Sequence, residues 1–387
     1  MNRYIFNFVV NDLKNKMVLI GGPRQVGKTT IDTDLANKYS KHQYFNYDNP
    51  KHKDLIIDQK WSSTTNLIVI DEIHKYPGWK NWLKGNYDCK EKEQQFLVTG
   101  SARLDVYKKG ADSLLGRYHY WKLHPITIDE TVNDINKKEV YERLLTIGGF
   151  PEPFFKAEEK FARRWRHDRY EKVISEDIRD LNNIKKTSKM KLLIEELRKR
   201  CGQLIKDANL ATDLKVSPQT ISQWIDIFEE MYLGFRVYPY TKNVPRSLEK
   251  PCKFYFFDNG DPITDEGGRL ENLIATTLLK RLHFIKDAFG YDTKLCYLRN
   301  KDGKEVDFAT IIDSKVYELI EVKNKDTKIS KALKSYSEML NPKYSVQMVG
   351  NLDIKYEIDN IIITNPIDYF TEREENIAPW LLEDFKF

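Results

Sequence analysis

The sequence predicts an α/β protein that opens on a parallel sheet, continues through a helical middle and closes on a second, mixed α/β domain. Three observations carry this. Apolar runs MVLI (17–20), LIVI (67–70) and QFLVT (95–99) are short, continuous and separated by helical patterns, as strands buried on both faces of a parallel sheet are. Between 125 and 153 the texture changes, with Pro125, Gly148, Gly149, Pro151 and Pro153 punctuating a connector that contains IGGFPEP. From about 156 to 236 the residues are charged and helix-forming, and from about 252 strand-like runs return as KFYFF, KLCYLR, VDFATII and YELIEV. The expected domains are therefore 1–150, 151–250 and 251–387.

Composition bounds the rest. With 387 residues, 41% of them hydrophobic, the chain can build packed cores, which excludes wholesale disorder. No uncharged apolar run approaches the roughly 18 residues of a membrane span, and MNRYIFNFVVNDLK becomes charged too early for a secretory signal. A cytoplasmic protein without a membrane partner is expected. Cys89, Cys201, Cys252 and Cys296 lie far apart, so they read as structural thiols rather than a zinc or disulfide framework.

In the first domain GGPRQVGKTT (21–30) follows a strand and opens a helix, with the phosphate-loop spacing of Gly22, four residues, then Gly27, Lys28 and Thr29. Glycines let the chain curl until its amides converge on a β-phosphate, and the helix start adds positive potential. The candidate cradle is Gly22, Pro23, Arg24, Gln25, Val26, Gly27, Lys28, Thr29 and Thr30, with Lys28 reaching the phosphates and the Thr29 hydroxyl holding Mg²⁺. LIVIDEIH places Asp71 and Glu72 at the carboxyl edge of the sheet, where ligands bind. Asp71 would hold the metal through water, and Glu72 would polarise an attacking water, so the pair points to ATP hydrolysis. Ser101, after QFLVT, is either a γ-phosphate sensor or a helix cap. Arg117 is either an arginine finger acting on a neighbour's nucleotide in a homo-oligomer or a surface ion pair. Arg24 and Arg103 are further arginine candidates, whereas His74, Trp79 and Trp82 read as packing residues.

In the middle, residues 161–200 hold thirteen lysines and arginines against seven acids, a local excess of about +6. They offer either phosphate contacts or solvated helix faces. NLATDLKVSPQTISQWIDIFEEMYLGFRVYPY (209–240) reads as helix, tight turn, helix, strand. Ser217 caps the second helix, Pro218 takes its first position, Ile221, Trp224, Ile225 and Phe228 face inward, and Gln219, Thr220, Ser222 and Gln223 stay outside. This resembles a winged helix-turn-helix that either meets DNA or packs on another domain.

Near the end, Glu271 lies at the edge of a helix packed through Leu270, Leu273, Ile274, Thr277 and Leu278. Asp307 sits on a strand, and Glu321 and Lys323 project from one face of another. Asp307, Glu321 and Glu271 could bind Mg²⁺ while Lys323 orients a nucleophilic water, which would hydrolyse phosphodiesters. The alternative is an acid-plus-lysine spacing that arises by chance on an exposed strand.

Taken together, GGPRQVGKTT, LIVIDEIH, VTGSARL, SLLGRY, GGFPEP, the helix-turn-helix and the tail motifs resemble, from about 15 to 365, a bacterial and archaeal family of AAA-type ATP-binding proteins. The resemblance implies a P-loop NTPase sheet that binds and hydrolyses ATP with Mg²⁺, and a tail with the restriction-endonuclease fold of Holliday junction resolvases. It places Gly22, Gly27, Lys28, Thr29, Asp71 and Glu72 on the nucleotide positions, and Glu271, Asp307, Glu321 and Lys323 on the nuclease positions. Two departures are Leu298, where many members carry an aromatic residue, and the turn DNGDPITDEGG before Glu271. The expectation is a DNA-associated ATPase with a metal-dependent nuclease domain. The alternative is an ATP-dependent switch that binds a protein or DNA partner through a nuclease-like domain that no longer cuts.

Overall fold

The computed structural model describes residues 3–100, 114–130, 132, 135–178, 187–241 and 250–371. The chain divides into two compact units, Asn2–His124 and Pro125–Phe387.

In the first unit β1 (Met17–Gly21), β2 (His42–Asn46), β3 (Leu67–Asp71), β4 (Gln95–Thr99) and β5 (Tyr118–Lys122) form a sheet in the order β2-β3-β4-β1-β5. Every pairing is parallel. β1 and β3 are buried along their whole length, and β4 at all but its first residue, which is why their sequences are continuously apolar. The edge strands HQYFN and YHYWK carry no such run, because each is only partly covered. Met17, Leu19, Ile68, Ile70, Phe96 and Val98 alternate along their strands onto one face, where Phe45, Trp79 and Leu83 meet them. Each such side chain contributes roughly 1.5–3 kcal/mol by leaving water. Helices Lys28–Ala36, Pro50–Ile57 and Trp79–Asp88 lie in the crossovers that parallel strands require. Parallel pairing also lines up the carboxyl ends, setting Asn46 opposite Asp71 and Asp71 opposite Thr99.

The second unit begins with helices Lys137–Thr146, Pro151–Lys156, Glu159–Lys172, Thr187–Lys199, Asp207–Leu214 and Pro218–Glu230. Its strands are β6 (Leu204–Ile205), β7 (Gly234–Pro239), β8 (Cys252–Phe256), β9 (Thr293–Arg299), β10 (Glu305–Ile312), β11 (Lys315–Lys323), β12 (Tyr344–Val349), β13 (Tyr356–Ile358) and β14 (Ile361–Thr364). They form one sheet in the order β13-β14-β12-β11-β10-β9-β7-β8-β6. The four strand-like runs of the sequence are β8 to β11. β7 pairs with β9 through Tyr238 and Pro239, so the middle and the tail share a sheet across the expected boundary at 250.

The expected boundary at 150 also differs from the observed division, for a packing reason. The connector is seated on the turn DNGD. Arg166 Nη1 donates to Ile147 O at 2.8 Å, and Asn259 Nδ2 donates to Leu144 O at 3.1 Å. A Cβ at Gly148 would lie 1.9 Å from Asp258 Oδ1, so only glycine permits this approach. Farther on, the buried Lys280 of helix Glu266–Phe289 meets Thr127 Oγ1 at 2.7 Å, Asp129 at 2.9 Å and Glu130 at 3.1 Å. That helix starts where the Asp265 side chain accepts from Gly268 N and stops at Gly290, whose φ is 78°. Cys201, Cys252 and Cys296 are buried and Cys89 is exposed, all of them free thiols. No helix among the described residues is long and apolar enough to cross a membrane.

Candidate functional site

The loop between β1 and helix Lys28–Ala36 turns back on itself with φ of 154° at Gly22, 63° at Gln25 and 95° at Gly27. Such alternation points successive amides into a concavity suited to an anion. A Cβ at Gly22 would lie 2.4 Å from Leu123 O, so the loop can run this close to β5 only with glycine there. Lys28 is buried, and its Nζ donates to Pro23 O at 2.8 Å and Gly22 O at 3.2 Å. Burial pushes the Lys28 amine down, while Glu72, Asp71 and Asp32 pull it back up. Thr29 is exposed on the first turn of the helix. These groups fit a Mg²⁺-bound polyphosphate, with Thr29 and Asp71 as the residues that would hold the metal.

Asp71 ends β3, which is separated from β1 by β4, so the last residue of β4 projects between the loop and the acid. That residue is Thr99, with Oγ1 2.8 Å from both Asp71 Oδ1 and Asp32 Oδ2. Tyr44 Oη donates to Asp71 Oδ2 at 2.9 Å, and Asn46 Nδ2 stands 3.4 Å from the same oxygen. Glu72 follows with a left-handed backbone, φ 59°, anchored by its N–H donating to Thr99 O at 2.9 Å. Its Oε2 is buried without a hydrogen bond and lies 3.3 Å from His74 Nε2. Burial raises the Glu72 carboxyl, and Asp71 adds to the rise against Lys75 and Lys28. Lys75 Nζ stands 3.5 Å from the same Oε2, and a raised carboxylate with this oxygen free of hydrogen bonds, beside a phosphate cradle, is suited to accept a proton from water.

Sequence reasoning missed Asp32, Tyr44, Asn46 and Thr99. The available signal was a polar residue closing each of three neighbouring strands. Ser101 and Arg103 lie outside the described residues. Arg117 is bound on its own chain, with Nε and Nη2 donating to Asp88 Oδ1 and Oδ2 at 2.7 and 3.0 Å. It precedes β5, whose Tyr118 pairs with Met17, so within one chain it sits at the end of the sheet opposite the loop that follows Gly21. Trp79 is buried and Trp82 packs against the same core, whereas the buried His74 meets the Glu72 carboxylate.

In the second unit Glu271, Asp307, Glu321 and Lys323 gather beside β10 and β11, together with a residue not foreseen. Lys253 of β8 is 3% exposed, and its Nζ lies 2.8 Å from Glu305 Oε1, 3.0 Å from Glu271 Oε1 and 3.5 Å from Asp307 Oδ1. Tyr255 Oη donates to Glu271 Oε1 at 2.6 Å, and Val322 N donates to Asp307 Oδ2 at 2.9 Å. Burial alone would lower the Lys253 amine, but Glu271, Asp307 and Glu305 together hold it above its ordinary value. Burial and the neighbouring Asp307 raise Glu271, and the same causes bring Glu321 to about 7. Lys323 Nζ is 2.7 Å from Glu321 Oε1. Among the described residues no group of three or more His, Cys, Asp or Glu is arranged to hold a metal ion. The Lys253 ammonium already sits between Glu271 and Asp307, two of the three acids expected to hold Mg²⁺, whereas Glu321 meets Lys323 through Oε1 and keeps a buried Oε2 without a hydrogen bond.

The basic run of 161–200 is mostly spent inside the unit. Arg169 stacks 4.0 Å from the Phe150 ring and donates to Tyr232 O, while Arg166 is committed to Ile147 O. Lys189 donates to the carbonyls of Leu214 and Lys215. Lys191 pairs with Glu171, Arg198 with Glu195, and Lys199 and Arg200 with Glu196. Arg179, Lys185 and Lys186 lie outside the described residues. In helix Pro218–Glu230 the Ser217 side chain accepts from Thr220 N, Ile221, Trp224, Ile225 and Phe228 are buried, and Gln219 and Gln223 are exposed.

Comparison with known proteins matches three segments of the chain. Residues 14–132 match an AAA domain, 138–260 a domain of unknown function (DUF8612), and 266–370 another domain of unknown function (DUF4143). An uncharacterised protein of Mycobacterium tuberculosis is 27% identical over 246 residues, 63% of this chain and 54% of that protein. The match thus spans about half the relative's length. An uncharacterised protein of Haemophilus influenzae is 26% identical over 277 residues, 65% of each chain. A Walker-type ATPase of Pyrococcus abyssi superposes with a TM-score of 0.43 at 14% identity, over 65% of this chain and 92% of that one. The first unit carries an AAA-like ATPase domain.

Proposed function

We propose that this chain is a Mg²⁺-dependent ATP hydrolase whose nucleotide state governs how its second unit engages DNA. The observation that carries the reading is the meeting of Lys28, Asp71, Thr99 and the Glu72 carboxylate, whose buried Oε2 makes no hydrogen bond, at one edge of a parallel sheet. Lys28, held on two loop carbonyls, is placed to exchange them for phosphate oxygens. Thr29 and Asp71 would hold the metal, which when bound neutralises charge on the phosphates. Glu72 takes the proton of the attacking water, and Thr99 keeps Asp71 oriented. The DNA part draws support from helices Asp207–Leu214 and Pro218–Glu230 followed by β7 and β8, an order suited to a winged helix-turn-helix with Gln219 and Gln223 outward.

Steady-state phosphate release tests the chemistry. Glu72→Gln lowers the rate by about 10²- to 10⁴-fold while nucleotide still binds; wild type no faster than Glu72→Gln overturns hydrolysis. Anisotropy of a labelled duplex, read with ATP, ADP and no nucleotide, tests the DNA part in the same samples. An affinity that changes with nucleotide state and falls in Gln219→Ala/Gln223→Ala is expected. Equal affinity in every state, or none, overturns it.

A further inference from the structure

We propose that Lys253 is the resident cation of the carboxylate cluster in the second unit and takes the place a divalent metal would occupy in a phosphodiester-cleaving domain. The proposal rests on reading the tail as nuclease-like, not on the nucleotide site. An ammonium has three N–H donors, and three carboxylates face this one: Glu305 at 2.8 Å, Glu271 at 3.0 Å and Asp307 at 3.5 Å. Further donors satisfy the same acids. Arg299 Nη1 donates to Glu305 Oε2 at 2.7 Å, Val322 N to Asp307 Oδ2 at 2.9 Å, and Tyr255 Oη to Glu271 Oε1 at 2.6 Å.

A divalent ion would need six or more oxygens at about 2.0–2.6 Å, with no cation among them. Lys253 stands in the way and cannot easily leave. Its backbone is paired on both sides, with Leu204 of β6 and Val237 of β7, and its side chain is 4% exposed. An ammonium balances the charge of the acids but has no open coordination position for a water or a phosphate, so it cannot supply Lewis-acid chemistry. The cluster therefore fastens β8 to the tail strands and fills the space between Glu271 and Asp307 with an ammonium in place of a metal.

Terbium ion, added to nucleotide-free full-length protein, reads the site through luminescence sensitised by Tyr255. An Asp71→Asn background silences the acid of the first unit. With Lys253 intact, no saturable signal that depends on Asp307 is expected. Lys253→Met, which keeps the apolar stem, gains such a signal with at least about tenfold tighter terbium binding, and loses it again when Asp307→Asn is added. A saturable signal from the Lys253 protein that disappears in Asp307→Asn overturns the proposal, and this arm needs no change at Lys253. A folded Lys253→Met that captures no more terbium than its parent also overturns it. Neither result bears on phosphate release, so the two readings fail separately.

Discussion

At the scale of single residues the first unit's chemistry turns on one proton. Thr99 Oγ1 contacts both Asp32 and Asp71 at 2.8 Å, yet a hydroxyl can donate only once. One carboxyl must supply the second proton. Asp32 is fully buried, and burial together with the Asp71 charge holds its carboxyl well above the usual range. We assign the second proton to Asp32, which would then donate to Thr99 while Thr99 donates to Asp71. A carboxyl raised in the fold stabilises it fully below the unfolded carboxylate value, and this contribution is lost as pH rises toward the folded value. Asp32→Asn keeps a donor without the ionisation. It should flatten the dependence of Tm on pH above about 4 and raise Tm at about pH 8. Thermal melts across that range check it, and an unchanged slope refutes the assignment. The motif residues Lys28, Asp71 and Glu72 were legible in sequence because their spacing is local. Asp32, Tyr44, Asn46 and Lys253 were not, because what each does depends on strands far away in the chain.

Among elements, helix Glu266–Phe289 shows how a buried charge fixes a docking. Lys280 is wholly buried, and Thr127, Asp129 and Glu130 of the preceding connector surround it. Removing the amine leaves two carboxylates in an apolar setting, which typically costs about 3–5 kcal/mol. Lys280→Met should lower denaturation stability by that amount, whereas Lys280→Met combined with Asp129→Asn and Glu130→Gln should recover part of the loss. No recovery in the triple variant, measured by urea unfolding, would show that the ion pair is not the cause. This contact also explains why the connector belongs with the second unit, although its prolines and glycines read as punctuation between domains. Strand legibility followed burial in the same way. β1, β3 and β4 are covered on both faces and announce themselves as apolar runs, while β2 and β5 lie at the edges and do not.

For the whole molecule, association of two copies would bring Arg117 to a neighbour's nucleotide. Within one chain its guanidinium is held by both oxygens of Asp88 at the far end of the sheet from the phosphate loop. If a second copy recruits it, turnover per chain rises with protein concentration, and Arg117→Ala flattens that rise. Turnover that stays constant while light scattering records association removes the trans role. At this scale the α/β class, the phosphate loop, the acid pair and the capped helix at Ser217 were readable from the chain alone, since each is written in spacing or periodicity over a few residues. Which groups share a site follows instead from the packing of distant strands. Parallel register brought Asn46, Asp71 and Thr99 abreast, and the pairing of β8 with β6 and β7 carried Lys253 among Glu271, Glu305 and Asp307. The physical reason is the reach of the interactions. Hydrophobic periodicity and capping act along the chain, whereas charge compensation in a buried cluster depends on distances in space that no local pattern records.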